Sequence, residues 1–156
     1  MIEPHIEPLV EAAFVFGPVD GEAADLGRCF YCFAEVTVVT THAALADVDH
    51  FFPRVLPQLG VRLPLDGVWN LVLACRNCNR GADGKSSRLP ALRFLERLHT
   101  RNEFLISSHH PLRETLIAQT GDTAAVRAAF LKGMYEGALG ILLHRWEPKA
   151  ENEDAF

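Results

Sequence analysis

The rhythm of apolar and polar positions changes near residue 89. Before it, apolar residues come in short runs punctuated by Pro and Gly. After it, they recur every three or four positions. Residues 35–41 are dominated by Val and Thr, which predicts a strand, and residues 70–74 (Asn-Leu-Val-Leu-Ala) predict a short buried one. Pro53, Pro57, Gly60, Pro64 and Gly67 make residues 53–68 a loop. Leu89, Leu92, Leu95 and Leu98, extended by Phe94 and Leu105, predict an amphipathic helix with Pro90 in its first turn. A second helix is expected from about Pro111 to Gly121. A third should start at Asp122 or Thr123, both good caps, and run to about Trp146, before Pro148. The expectation is an α+β chain in four parts: an N-terminal segment 1–27, a β-rich unit 28–88, a helical extension 89–147 and a tail 148–156.

Charge sharpens this division. The chain of 156 residues carries a net charge of −5, so any polyanion must meet a local basic patch. Residues 1–27 hold six acids and no Lys or Arg. Residues 75–101 hold Arg76, Arg80, Lys85, Arg88, Arg93, Arg97 and Arg101 against Asp83 and Glu96, a local charge of +5. No apolar run approaches the ~18 residues of a membrane span. The start, Met1-Ile2-Glu3-Pro4-His5, has no basic n-region or cleavage pattern. A cytoplasmic, reducing location is expected, where four cysteines bind metal more often than they form disulfides.

The cysteines form two matched pairs, Cys29-x-x-Cys32 and Cys75-x-x-Cys78. Each pair can place two thiolates on one turn, and two such turns close a tetrahedral structural zinc site. The 42 residues between the pairs are too many for a minimal ribbon, so an insertion is expected. It contains Asp49-His50-Phe51-Phe52-Pro53 and Asn70-Leu71, and Asn79 follows the last cysteine. Carboxylate and amide oxygens are hard ligands suited to Mg²⁺. A histidine can take a proton near pH 7. A hydrated metal beside a neutral imidazole activates water for phosphodiester hydrolysis.

Asp49-His50-x-x-Pro53 followed by Asn70-Leu71-x-x-x-Cys75-x-x-Cys78-Asn79 resembles the signature of HNH endonucleases. Asp47 to Gly81 is also similar to the HNH domain of CRISPR effector nucleases. The resemblance covers residues 28–88 and implies a zinc-stapled ββα-metal core that cuts nucleic acid, DNA first, with a C-terminal helical extension. It implies His50 as general base and Asp49 and Asn79 as ligands of a catalytic Mg²⁺ or Mn²⁺. Asn70 would hold the histidine-bearing loop through side-chain-to-backbone hydrogen bonds. Cys29, Cys32, Cys75 and Cys78 would hold structural Zn²⁺. One departure is Ala82, where the family often has Lys three residues after Asn79; Arg80 or Lys85 would then reach a phosphate instead. The rival readings are a non-catalytic zinc module binding nucleic acid or protein, and a nuclease effector gated by a partner.

Other features are less specific. Arg93, Arg97 and Arg101, four apart, suggest a phosphate track along one helix side. The bland alternative is a solvated face. His42 reads as a surface or packed histidine, and His109-His110 as capping or packing at a helix start. Gly133-x-x-x-Gly137, with Gly140 beyond, implies close helix packing, within the chain or across a homodimer.

Overall fold

The computed structural model describes residues 26–38, 41–60 and 64–149. Most of the acidic segment and the end of the tail therefore lie outside the described residues. Strand β1 (Leu26–Arg28) pairs antiparallel with β2 (Glu35–Thr37), and the first cysteine pair occupies the turn between them. The turn closes through hydrogen bonds from the Phe33 amide to the Cys29 carbonyl and from the Cys29 amide to the Ala34 carbonyl. Phe33 sits there at φ 62°, a left-handed conformation that a bulky side chain seldom adopts. Its ring lies under the Arg97 guanidinium, 4.2 Å from the ring centre. Such a cation–π contact contributes about 0.5–1 kcal/mol toward offsetting the strain.

Strand β3 (Asp47–His50) pairs antiparallel with β4 (Leu71–Ala74), in the register Asp47 with Ala74 and His50 with Leu71. The long connection contains two single 3₁₀ turns, Leu56–Leu59 and Val68–Asn70. A five-residue helix, α1 (Arg76–Arg80), leaves β4 directly, and the Cys75 sulfur accepts the Cys78 amide at its start. The Phe30 amide donates to the Leu73 carbonyl at 2.9 Å. That bond brings the first cysteine turn against β4 and hence against the second.

Beyond residue 88 the chain forms β5 (Leu89–Pro90), α2 (Leu92–Ser107), α3 (Arg113–Thr120), α4 (Ala124–Leu139) and β6 (Arg145–Trp146). Two sequence expectations are corrected here. Pro90 is not in the first helical turn but in β5, which pairs parallel with β6. The last helix stops at Leu139, not near Trp146: Gly140 ends it, and Trp146 is drawn away to β5. The predicted cap is in place, since Thr123 Oγ1 accepts the Val126 amide at 3.2 Å. Gly121 precedes it at φ 136°, where an added Cβ would lie 2.4 Å from Val126, so no other residue fits that corner.

One continuous hydrophobic core joins the β-rich unit to the helices. Phe51, Phe52, Leu56 and Trp69 pack with Phe94, Leu98, Leu105, Leu116, Tyr135 and Trp146. Trp146 meets Tyr31 edge-on at 5.1 Å, and its indole N–H donates to the Asp83 carbonyl at 2.8 Å. The last strand thus closes back on the first cysteine turn and on the loop that follows α1. Among the described residues, nothing packs against Gly133 or Gly137: a Cβ at either would meet nothing within 4 Å. Among the described residues, no helix is long and apolar enough to cross a membrane.

Candidate active site and metal centre

The four sulfurs of Cys29, Cys32, Cys75 and Cys78 lie within 4.8 Å of one another. Cys32 and Cys75 Sγ are 3.7 Å apart. Two sulfurs each ~2.3 Å from a tetrahedral zinc would be about 3.8 Å apart, so the tetrad can hold a metal ion such as zinc. The electrostatics agree with that use. Hydrogen bonds from the Cys32 and Cys78 thiols pull Cys29 down to about 2, and the bond to Cys29 pushes Cys32 up to about 12. Bonds to Cys29 and Cys32 also push Cys78 up. These contacts and burial oppose thiolate formation at Cys32 and Cys78, an opposition that a bound divalent ion would remove.

The same hairpin carries His50 at its other end. The imidazole is 24% exposed, and its Nε2 lies 3.8 Å from Asp66 Oδ1. Burial lowers its pKa, helped by the Arg54 cation and opposed by Asp49 and Asp66. It is therefore neutral near pH 7 and able to take a proton. Asn70 is completely buried. Its Oδ1 accepts the Phe52 amide at 2.7 Å, and its Nδ2 donates to the Phe52 and Leu65 carbonyls at 3.1 and 2.9 Å. The clamp fixes the backbone two residues after His50.

No family model, no curated protein and no solved structure matches the chain. The site is defined by its own residues.

Among the described residues no hydrogen bond joins Asp49 to Asn79. Asn79 Nδ2 donates instead to Asp47 Oδ2 at 3.1 Å, and Arg80 forks onto the same carboxylate at 2.8 and 3.3 Å. Asp47 and Asp49 share a face of β3 because strand side chains alternate, so the carboxylate beside Asn79 is the one two positions earlier. Asp49 is only 6% exposed. Tyr31 O–H donates to its Oδ2 at 2.6 Å, and Lys85 Nζ to its Oδ1 at 3.2 Å. Burial pushes the Asp49 carboxyl up, and Lys85 and Tyr31 oppose the shift.

The expected nucleic-acid contacts are placed differently from the sequence reading. Lys85 is not a surface contact for phosphate: its side chain is fully buried, and Nζ also donates to the His50 and Ser86 carbonyls at 2.8 and 3.4 Å. Arg80, though 58% exposed, is held by Asp47. The arginines of α2 form no open track. Arg93 pairs with Glu147 at 2.9 Å. Arg97 lies over Phe33 and donates to the Phe30 and Tyr31 carbonyls. Arg101 is 4% exposed and donates to the Leu71 and Trp69 carbonyls at 2.9 and 3.2 Å. Burial lowers Arg101 to about 10, so it stays charged. The four-residue spacing selects one helix side, but Arg97 and Arg101 on it face the first cysteine turn and the start of β4, whose carbonyls accept their donors.

His42 and His110, outside the hairpin, have local roles. His42 Nδ1 accepts the Ala44 amide at 3.0 Å, and His110 Nδ1 accepts the Leu112 amide at 3.1 Å. His109 is exposed at φ 57°. Sequence reading passed over Tyr31, which lies between two cysteines, and gave Asp47 no role. The one available signal was the i, i+2 spacing of Asp47 and Asp49.

Proposed function

We propose that the chain hydrolyses phosphodiester bonds in nucleic acid, DNA first, in the manner of an HNH endonuclease. The observation that carries this reading is His50: partly exposed, on a loop clamped by Asn70, at the end of an antiparallel strand pair followed by a helix. The four-cysteine cluster beside that helix is the second support. In this reading His50 takes a proton from a water whose oxygen attacks phosphorus, one P–O ester bond breaks, and the leaving oxygen takes a proton from solvent; the tetrad would hold zinc in a structural role.

The expected Mg²⁺ or Mn²⁺ ligands, Asp49 and Asn79, are hard oxygen donors of the right kind. As they stand they do not fit the ion, because both Asp49 oxygens are held and a positive charge already lies beside one of them. No hydrolytic step is therefore assigned to the metal. The same closure supports the second reading, a zinc module that binds nucleic acid or protein without cutting it.

Plasmid incubation with Mg²⁺, Mn²⁺ or EDTA separates the two. The nuclease reading expects nicked or linear DNA with metal and none with EDTA. It also expects a loss of roughly 10²–10⁴-fold in His50→Ala, with fold and zinc content unchanged. Absence of cleavage by wild type under every metal condition supports the zinc module. Full cleavage by His50→Ala removes the proposed base.

A further inference from the structure

The basic residues that the sequence offers to a phosphate are engaged within the protein. Arg80 meets Asp47, Lys85 is fully buried, Arg93 meets Glu147, and Arg97 and Arg101 donate to carbonyls. Arg54 is different. Its side chain is 70% exposed, and among the described residues it makes no hydrogen bond and one ion pair, with Nε 3.8 Å from Asp66 Oδ1. The same carboxylate oxygen lies 3.8 Å from His50 Nε2. Both distances exceed hydrogen-bond reach, and an exposed pair of this kind holds its partners weakly. The guanidinium keeps its planar fork of N–H donors for another anion.

The backbone beneath that open side chain is fixed on both sides. Asn70 clamps Phe52, two residues before Arg54, and the Leu56 amide donates to the Pro53 carbonyl at 3.1 Å. Phe52 and Leu56 are completely buried. Arg54 is therefore presented to solvent from an anchored turn, so little backbone order is lost when a ligand arrives. Two nitrogens that each lie 3.8 Å from one oxygen are close enough for a single phosphate group to touch both. Burial first and the Arg54 cation second lower the His50 pKa, so the two groups sense each other across this corner. The chain as a whole is acidic, and a phosphodiester needs a local cation where it approaches. We propose that Arg54 is the phosphate contact of the His50 corner: its guanidinium binds a backbone phosphate of nucleic acid and places it beside the imidazole. The inference rests on the reading of nucleic acid as the partner of this site. It goes beyond that reading by naming the residue that holds the phosphate there.

The test is binding of a fluorescently labelled DNA duplex to the full-length, zinc-loaded protein without added Mg²⁺ or Mn²⁺, read by fluorescence anisotropy across a salt series. Wild type should bind at low salt. Arg54→Gln should flatten the log–log salt slope by about 0.9 and weaken binding at low salt by roughly threefold or more. Arg54→Lys keeps the charge and should keep the slope near wild type. Lys132→Gln makes the same charge change on α4, where the side chain is 76% exposed, and should leave slope and affinity near wild type. A second measurement locates the phosphate. In nuclear magnetic resonance spectra the duplex should shift the His50 imidazole signals of wild type, and shift them less in Arg54→Gln at equal occupancy. The proposal is overturned if wild type does not bind, if Arg54→Gln binds like wild type, if Arg54→Lys flattens the slope as Arg54→Gln does, if Lys132→Gln costs as much, or if the His50 signals ignore the duplex. The readout is separate from cleavage. Arg54-dependent binding by a protein that never cuts DNA keeps this inference and removes the nuclease reading. Cleavage by a protein whose DNA affinity is indifferent to Arg54 does the reverse.

Discussion

The two ends of the β3–β4 hairpin are held by opposite means. At the Asp47–Ala74 end, four thiols crowd together, two of them deeply buried, and only a cation relieves the charge that ligation requires. At the His50–Leu71 end the protein supplies every partner itself: Asn70 on the Phe52 backbone, Lys85 on the His50 carbonyl, and Arg101 on the Leu71 carbonyl. The first end is built to take a metal ion, and the second is preorganised by the protein's own groups. Tyr31 ties them together, since it lies between Cys29 and Cys32 and donates to Asp49.

The largest effect should come from breaking the metal-dependent end. Cys75→Ser removes a ligand and the sulfur that caps α1. Zinc content should fall toward zero, and cooperative unfolding should weaken or vanish, because zinc binding in such sites is folding free energy of order 10 kcal/mol. Metal analysis with thermal denaturation checks this. An intact, zinc-free fold would make both ends preorganised and erase the contrast.

Next in size is the other end. Asn70→Ala leaves the buried Phe52 amide without its acceptor and strips a donor pair from two carbonyls, a cost of about 3 kcal/mol. Urea denaturation should show that loss while zinc stays bound. Zinc loss instead would mean that the ends are not independent. A smaller change tests the tie itself. Tyr31→Phe keeps the ring in its edge contacts with Phe30, Phe94 and Trp146 and removes one hydrogen bond to a charged group, worth about 1.5–3 kcal/mol. It should lower stability without releasing zinc.

The smallest effect lies outside the hairpin. Arg127 Nε is 2.5 Å from Glu103 Oε1, joining α4 to α2. The bond to Arg127 lowers the Glu103 pKa below its unfolded value. The pair therefore stabilises fully above the unfolded value of ~4.3, and the contribution is lost as pH falls through the lower, folded value. The contribution, about 1 kcal/mol or less, is read as the stability difference between wild type and Glu103→Gln, which should be full at neutral pH and shrink as pH falls through the Glu103 range. At neutral pH the substitution should leave zinc content and the His50 corner unchanged.

How much of this was legible depends on how far apart the cooperating residues lie. The cysteine pairs are local spacings, and they converge where spacing says they should. The helices and the Thr123 cap follow from periodicity and local chemistry, so they too were readable. Pro90 misled because a proline suits both a first helical turn and a short edge strand, and the strand's partner, Trp146, is 56 positions away. Lys85 and Arg101 misled for a related reason. A basic residue near a candidate phosphate site reads as a surface contact, and only the fold shows which internal carbonyls and carboxylates lack partners. The Tyr31–Asp49–Lys85 chain joins three segments separated by 18 and 36 positions, which no periodicity reports.

The parallel pairing of β5 with β6 has a consequence for the order in which the molecule assembles. It closes a loop that contains all three long helices. Closure of so long a loop is entropically costly until the helices have packed and drawn its ends together. Helix formation and packing are thus expected first, and seating of Trp146 against Tyr31 and the Asp83 carbonyl last. The indole is a natural clock for that final step. Burial of its ring should trail the appearance of helix, and the first cysteine turn gains its aromatic lid only when the chain's last strand arrives.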